Sequence, residues 1–375
     1  MTGLASHPLQ PLTRLQSAAF ETPAVLKKAA TAGRQLAELK GLAASMPNQA
    51  ILINTLGLQE AKDSSAIENI VTTHDELFRS ATYPDLFASP AAKEVRHYVQ
   101  ALRVGYGLVR QTGLLTANHM LEIQAELEQN NAGFRKLPGT TLQAATGAVV
   151  YMPPQDPAQI VSLMTDLERF INDDGAFDAD PLIKMAVVHH QFESIHPFYD
   201  GNGRTGRIVN VLYLVNKGLL DIPVLYLSSQ IMRSKPDYYR LLQAVREQGD
   251  SAARTEEAWQ EWVLYMLAAV ETTAQQTIRT VTDIKAALLD YKHRIRASFK
   301  FYSQDIINNL FMHPYTKIEF VERDLKVSRL TATKYLDALA GAGFVQKVKV
   351  GKSNYYVNLA LNSILTRPNE VRAGP

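Results

Sequence analysis

His196-Pro197-Phe198-Tyr199-Asp200-Gly201-Asn202-Gly203-Arg204-Thr205-Gly206-Arg207 is the most informative stretch of this 375-residue chain. Pro197 and Gly201 stop the helix that precedes it, and Gly201 and Gly203 let the backbone come close to a ligand. A new helix is expected from about Gly203. Its free N–H groups and the positive end of its dipole would face back onto the loop, an arrangement that favours phosphate. Arg204 and Arg207, three apart, both fall near the first turn and can clamp further phosphate oxygens. Asp200 is a lone hard oxygen ligand of the kind Mg²⁺ uses beside phosphates. His196 is the nearby group whose unperturbed pKa suits a general base at neutral pH. A Gly-Asn-Gly turn alone is only a turn, and a lone histidine is more often structural than catalytic. Eight specified residues within twelve positions argue against both of those accounts at once.

Around this loop most of the chain reads as helix. Pro23 to Ser45 carries apolar residues at helical spacing. Ser89-Pro90, Asp156-Pro157 and Asp180-Pro181 each pair a capping residue with a proline at the first helical position, opening helices to about Arg110, Asp173 and Ile195. Thr116 to Glu128 repeats the pattern. Leu137 to Tyr151 differs: turn residues and short β-prone pieces predict a hairpin on a helical body. After Tyr302 the order is helix (306–311), helix (318–325), helix (330–342), then alternating strands (344–350 and 353–357) about a Gly351-Lys352 turn. That is the order of a winged helix-turn-helix.

The loop resembles the signature of the Fic family, His-x-Phe-x-Asp/Glu-Gly-Asn-Gly-Arg-x-x-Arg, with every specified position filled. The preceding Val187 to Ile195 is similar to the family's helix as well, and the likeness runs from roughly Ile51 to Ala268. The fold implied is mainly α. It comprises a Fic-domain helical core (111–270) with a β-hairpin flap, an N-terminal helical region (1–110) holding an inhibitory helix around 63–70, a connecting helix (271–300), and a C-terminal winged helix-turn-helix (301–365). The activity implied is protein adenylyltransfer, AMP passing from ATP to a Ser, Thr or Tyr hydroxyl of a protein, this chain itself included. By this resemblance His196 is the catalytic base, Phe198 anchors the loop, and Asp200 holds Mg²⁺ between the α- and β-phosphates. Asn202 with the backbone of Gly201 and Gly203 steadies the phosphates, and Arg204 and Arg207 hold the β- and γ-phosphates. Thr205 and Gly206 complete the nucleotide-binding turn. Gly203 separates the chain from a kinase-like branch of the family that departs from glycine there.

Ser64 and Glu68 are four apart and share one helix face. Taken alone they read as a capped surface helix. Beside the loop, Ser64-x-x-x-Glu68-Asn69 resembles the family's inhibitory motif, in which the glutamate pairs with the second arginine, here Arg207. That pairing implies autoinhibition. In some relatives the same glutamate supports removal of AMP, so the reverse reaction stays open. Val150 and Tyr151 in the flap are candidates to contact the nucleotide. Lys235-Pro236-Asp237-Tyr238-Tyr239 resembles a segment bordering the adenine, where Tyr239 is the candidate and core packing the rival. A relative's asparagine seven residues beyond the second tyrosine is replaced by Arg246, so that contact is not carried over. His189, His190 and His196 lack the spacing and carboxylates of a metal site.

Composition bounds the rest. Hydrophobic residues make up 46%, charged residues 20%, the net charge is +2 and cysteine is absent. This excludes disulfides and thiolate chemistry and fits a reducing cytoplasm, the expected location. Met1 to Leu15 has no secretory pattern, and Ile208 to Leu227 is too polar to span a bilayer, so no membrane partner is expected. From Lys300 to Ala360 nine Lys/Arg face five Asp/Glu, a net of +4. Arg329, Lys334, Lys347, Lys349 and Lys352 suit phosphate contacts, which makes a DNA-binding regulator the alternative reading. The partners expected are ATP and a protein target, with DNA or a second copy of the chain as further candidates.

Overall fold

Capping chemistry sets where most helices begin. The computed structural model describes residues 9–83, 89–144, 146–247, 252–350 and 353–367. Thr22 accepts from the Val25 N–H, Ser89 from Ala92, Asp156 from Ala158 and Asp180 from Leu182, each just ahead of a proline at the first helical position. The helices of the N-terminal and central regions are α1 (Pro23–Ala44), α2 (Ala50–Ile67), α3 (His74–Thr82), α4 (Pro90–Thr112), α5 (Ala117–Glu128), α6 (Pro157–Asn172), α7 (Pro181–Ile195), α8 (Asn202–Asn216), α9 (Leu227–Arg233) and α10 (Lys235–Arg246). The expected hairpin is present as β1 (Leu142–Gln143) and β2 (Val149–Tyr151), paired antiparallel.

The centre of the molecule is α7 packed on α8. All of α7 from Leu182 to Ile195 is buried, and so is nearly all of α8 from Asn202 to Leu214. A helix apolar or satisfied on every side belongs inside, wrapped by others. Here α4, α5 and α6 pack on one or other of the pair, as does α11 (Ala252–Ser298). The polar groups of α7 find partners: His189 Nε2 lies 2.9 Å from Tyr238 OH and its Nδ1 is 3.0 Å from Asn210, while His190 Nε2 meets the Leu242 carbonyl at 3.3 Å. Trp262 donates to the Ala186 carbonyl at 2.8 Å. Both ring nitrogens of His189 are thus engaged within the core.

The connecting helix expected over 271–300 belongs to this longer α11, so the boundary drawn at residue 270 falls inside one continuous helix. Beyond it lie α12 (Gln304–Met312), β3 (Tyr315–Lys317), α13 (Ile318–Leu325), α14 (Arg329–Gly341), β4 (Val345–Val350), β5 (Ser353–Asn358) and α15 (Leu359–Thr366). The two strands read from the sequence gain a third, in the order β3-β5-β4, all antiparallel. This unit rests on the N-terminal helices. Thr82 Oγ1 donates to the Tyr315 carbonyl at 3.0 Å, Tyr83 OH to Asn354 O at 2.8 Å, and Tyr315 OH to Asp75 at 2.8 Å. The Gly351-Lys352 turn and residues 1–8 lie outside the described residues. Among the described residues no helix is long and apolar enough to cross a membrane.

Candidate active site

The loop is a strained turn clamped from both ends. His196 ends α7 in the left-handed region, φ 49°, and Gly201 caps α8 at φ 73°. A non-glycine residue in that region costs of order 1 kcal/mol, so the surroundings must hold it. Arg135 does so. Its Nε donates to the His196 carbonyl at 2.7 Å, its Nη2 reaches the Ile195 and Pro154 carbonyls, and its own N–H bonds the Pro197 carbonyl at 2.8 Å. Asn202 closes the loop from the other side. The Phe198 N–H donates to Asn202 Oδ1 and Asn202 Nδ2 donates to the Phe198 carbonyl, both at 2.8 Å. Phe198 is fully buried against Phe134 and Phe192, which is the anchoring role the resemblance implied. Both ends of the Asn202 amide are thus engaged by the loop backbone.

His196 is half-buried, and burial together with the positive charges of Arg246 and Arg135 pushes its pKa down to about 3. The imidazole is therefore neutral at physiological pH, and its Nδ1 has no hydrogen-bond partner among the described residues. Arg246 owes its place to Ser194 Oγ at 3.0 Å and the Glu193 carbonyl at 2.9 Å, and its guanidinium covers the Tyr151 ring at 4.3 Å.

Arg204 and Arg207 are both buried, and each is held by charge. Arg204 Nε donates to Glu68 Oε2 at 2.8 Å, Nη2 to Glu128 Oε1 at 2.8 Å, and Nη1 to Glu94. Arg207 donates from Nε to Ser64 Oγ at 2.7 Å and from Nη2 to the Ser64 carbonyl and Glu68 Oε1, both at 2.9 Å. The expectation paired Glu68 with Arg207; in the fold it bridges both arginines. Glu68 caps the C-terminus of α2, and Asn69 follows at φ 67°. Asn69, the last residue of the motif, is thus the left-handed residue that ends a helix. Burial pushes Glu128 up to about 7 against the opposing pull of Arg204. The 2.8 Å contact to a guanidinium argues that its charged form is the better populated one near neutrality.

Gly203 sits under this cluster: a Cβ there would lie 2.7 Å from Glu68 Oε1 and 2.9 Å from Arg207 Nη1. Gly206 faces the other way, where a Cβ would meet Glu193 and Phe192 of α7, so it serves helix packing. Thr205 is buried with its Oγ1 unpartnered among the described residues. The Asp200 side chain is 78% exposed; Oδ1 accepts from the Gly201 N–H at 2.7 Å and lies 3.9 Å from Arg204 Nη2.

The flap leans on the same region. Tyr151 OH donates to the Ser194 carbonyl at 3.0 Å, and Gln243 Nε2 to the Val150 carbonyl at 2.9 Å. Of the aromatic pair on α10, Tyr238 is buried on His189, whereas Tyr239 is 46% exposed. In the C-terminal unit Arg329 is paired with Glu319 at 2.7 Å and Lys347 with Asp337 at 2.7 Å, while Lys334 and Lys349 are exposed. Lys352 lies outside the described residues.

Glu94, Glu128, Arg135 and the anchoring role of Arg246 were not read from the sequence. Their partners lie 110, 76, 61 and 52 positions away, beyond any local spacing.

Three family models match the chain: the Fic/DOC family N-terminal region over residues 26–107, the Fic/DOC family over 114–214, and the C-terminal domain of SoFic-like protein adenylyltransferases over 289–361. The chain belongs to the Fic/DOC family. Over 65 residues it is 32% identical to protein adenylyltransferase fic-1 of Caenorhabditis elegans, covering 17% of this chain and 13% of that protein. Over 94 residues it is 35% identical to protein adenylyltransferase Fic of Drosophila melanogaster, covering 25% and 18%. The chain thus spans less than a fifth of the length of these curated relatives. A Fic family protein from Desulfovibrio desulfuricans G20 superposes with a TM-score of 0.56 at 21% identity, over 93% of this chain and 98% of that one. Fic-1 from C. elegans gives 0.52 at 18%, over 69% and 74%. At these identities the structural likeness is one of fold.

Proposed function

We propose that this chain is a protein adenylyltransferase that moves AMP from ATP to a Ser, Thr or Tyr hydroxyl of a protein, itself included, and that Glu68 restrains it. One observation carries the reading: two buried guanidiniums in the first two turns of α8 converge on a single carboxylate, Glu68. A helix N-terminus with two arginines is an anion site, and here an internal anion fills it.

In the reaction, the target hydroxyl gives its proton to the neutral His196 imidazole as its oxygen attacks the α-phosphorus. A new P–O bond forms, the bond from that phosphorus to the bridging oxygen breaks, and pyrophosphate leaves. Arg204 and Arg207 hold the β- and γ-phosphates, the backbone N–H groups from Gly201 onward face the phosphates, and Tyr239 and the Val150–Tyr151 strand border the base. Such transfer depends on positioning and charge stabilisation more than on covalent help. Asp200 fits a Mg²⁺ ion: an exposed carboxylate at the mouth of a phosphate site matches a cation that keeps waters and takes its other ligands from phosphate. When bound, Mg²⁺ neutralises charge on the α- and β-phosphates.

The test is ATP labelled at the α-phosphate, and in parallel at the γ-phosphate, with wild type, Glu68→Gly and His196→Ala. Label retained from the α position alone, stronger in Glu68→Gly and absent in His196→Ala, is the expected result. Label from the γ position would instead make the chain a kinase. Release of AMP from a modified protein, with no transfer, would favour the reverse reaction.

A further inference from the structure

Away from the loop, a cleft of about 520 Å³ opens between the N-terminal helices and the C-terminal unit. One wall is the face of α4 that carries Arg96, Gln100 and Arg103, residues four and seven apart and so aligned along the helix. The opposite wall is Met312, His313 and Tyr315, with Phe320 of α13. Phe78 of α3 and Leu58 of α2 also line the cleft.

Its polar groups are not used up by the fold. Arg96 forms no ion pair among the described residues, and its buried Nε has no hydrogen-bond partner. The buried Nε2 of His313 also lacks one, its nearest charged neighbour being Asp324 at 3.9 Å. Arg103 is exposed, so it adds an accessible charge and not a buried one; it bonds Asn54 at 2.7 Å, a neutral group, and forms no ion pair among the described residues. Glu126 is the carboxylate in the lining, and Asp324 beside His313 is paired with Arg323, so the two guanidiniums outweigh Glu126. Buried donors without acceptors are costly, and cationic donors most of all. Set among aromatic and aliphatic walls, they describe a pocket with a few convergent polar groups in an apolar surround.

We propose that this cleft is a second ligand site, which takes a small organic anion, a carboxylate or phosphate monoester, with an apolar or aromatic body. Arg96 and Arg103 receive the anionic head, His313 adds a neutral donor, and Phe78, Tyr315 and Phe320 cover the body. The helices that form the inner wall, α2, α4 and α5, are also those that bring Glu68, Glu94 and Glu128 to Arg204. The site stands independently of the transferase reading, because its test is binding.

Phenyl phosphate, benzoate and inorganic phosphate are titrated calorimetrically into the full chain, and into Arg96→Met and Arg103→Met with melting temperatures recorded in parallel. Saturable binding of phenyl phosphate or benzoate, weakened about tenfold by either substitution with the melting temperature retained, is the expected result. Inorganic phosphate should bind more weakly than phenyl phosphate, and equal binding would overturn the apolar half of the proposal. Absence of saturable binding, or indifference to both substitutions, would overturn the site itself.

Discussion

Glu68 Oε1 lies 2.9 Å from Arg207 Nη2, a contact that joins positions 139 apart and ties the end of α2 to the second turn of α8. The other oxygen of the same carboxylate is 2.8 Å from Arg204 Nε. A nucleotide that uses both arginines must displace Glu68 from both. Charge-assisted bonds of this kind are worth about 1.5–3 kcal/mol each. Glu68→Gly should therefore raise the initial rate of α-label transfer about ten- to a hundredfold at low ATP. An unchanged rate would remove Glu68 from any inhibitory role.

Glu128 and Glu94 hold the remaining nitrogens of Arg204, so the guanidinium stays oriented once Glu68 has moved aside. Glu128→Gln weakens one restraint without removing the arginine. The apparent KM for ATP should rise about three- to tenfold in Glu68→Gly/Glu128→Gln relative to Glu68→Gly, with kcat changing less. A fall in kcat at constant KM would show instead that Glu128 acts on the chemical step.

Asn202 spends its amide on the Phe198 backbone, two buried bonds across the loop. Asn202→Ala should cost about 2 kcal/mol in urea unfolding and reduce transfer even where the protein remains folded. Full stability with lost activity would point to direct phosphate contact by this side chain.

The His196 imidazole carries a signature in acid. Its pKa is near 3 in the fold and 6.5 without it, so below about pH 6.5 the unfolded chain binds a proton that the native one refuses. Stability is lost as pH falls from 6.5 towards 3. Comparing urea unfolding near neutral pH and at about pH 5, His196→Ala should lose about 1–2 kcal/mol less than wild type. Glu60 and Glu193, pushed up to about 7 by burial, act in the opposite direction between 4.5 and 7, but are common to both proteins. Equal losses in the two proteins would mean that His196 titrates normally.

What the sequence disclosed follows the range of the forces involved. Caps and prolines act within three residues, so the starts of α4, α6 and α7 are readable, as is the loop, whose turn and helix start are local. Ser64 and Glu68 lie on one turn of helix, and a motif made them visible as a pair. The third strand, β3, is three residues long and is made by pairing with a strand about forty positions later, which no alternation in Tyr315–Lys317 announces. Glu94, Glu128 and Arg135 are ordinary charged residues in their own segments. Only the packing of α4, α5 and the residues beyond α5 against α8 and its loop turns them into site residues. Arg329 and Lys347, suited by sequence to phosphate contacts, pair in the fold with acidic side chains ten positions away, Glu319 and Asp337.

Helix α11 gives the two ends of the molecule a common thermodynamic fate. Its 47 residues make a rod of about 70 Å. Trp262, Val263 and Met266 on its first half are buried in the catalytic core, and Ile284, Leu288 and Ile295 on its second half are buried as well. On that second half Tyr291 bonds the Phe344 carbonyl at 2.7 Å and stacks edge-on with Phe311 and Phe344. Neither unit can melt without stripping one side of a helix that the other still needs. Calorimetry should therefore record a single cooperative transition, and a cut anywhere along this rod would open a hydrophobic interior instead of releasing two self-standing domains.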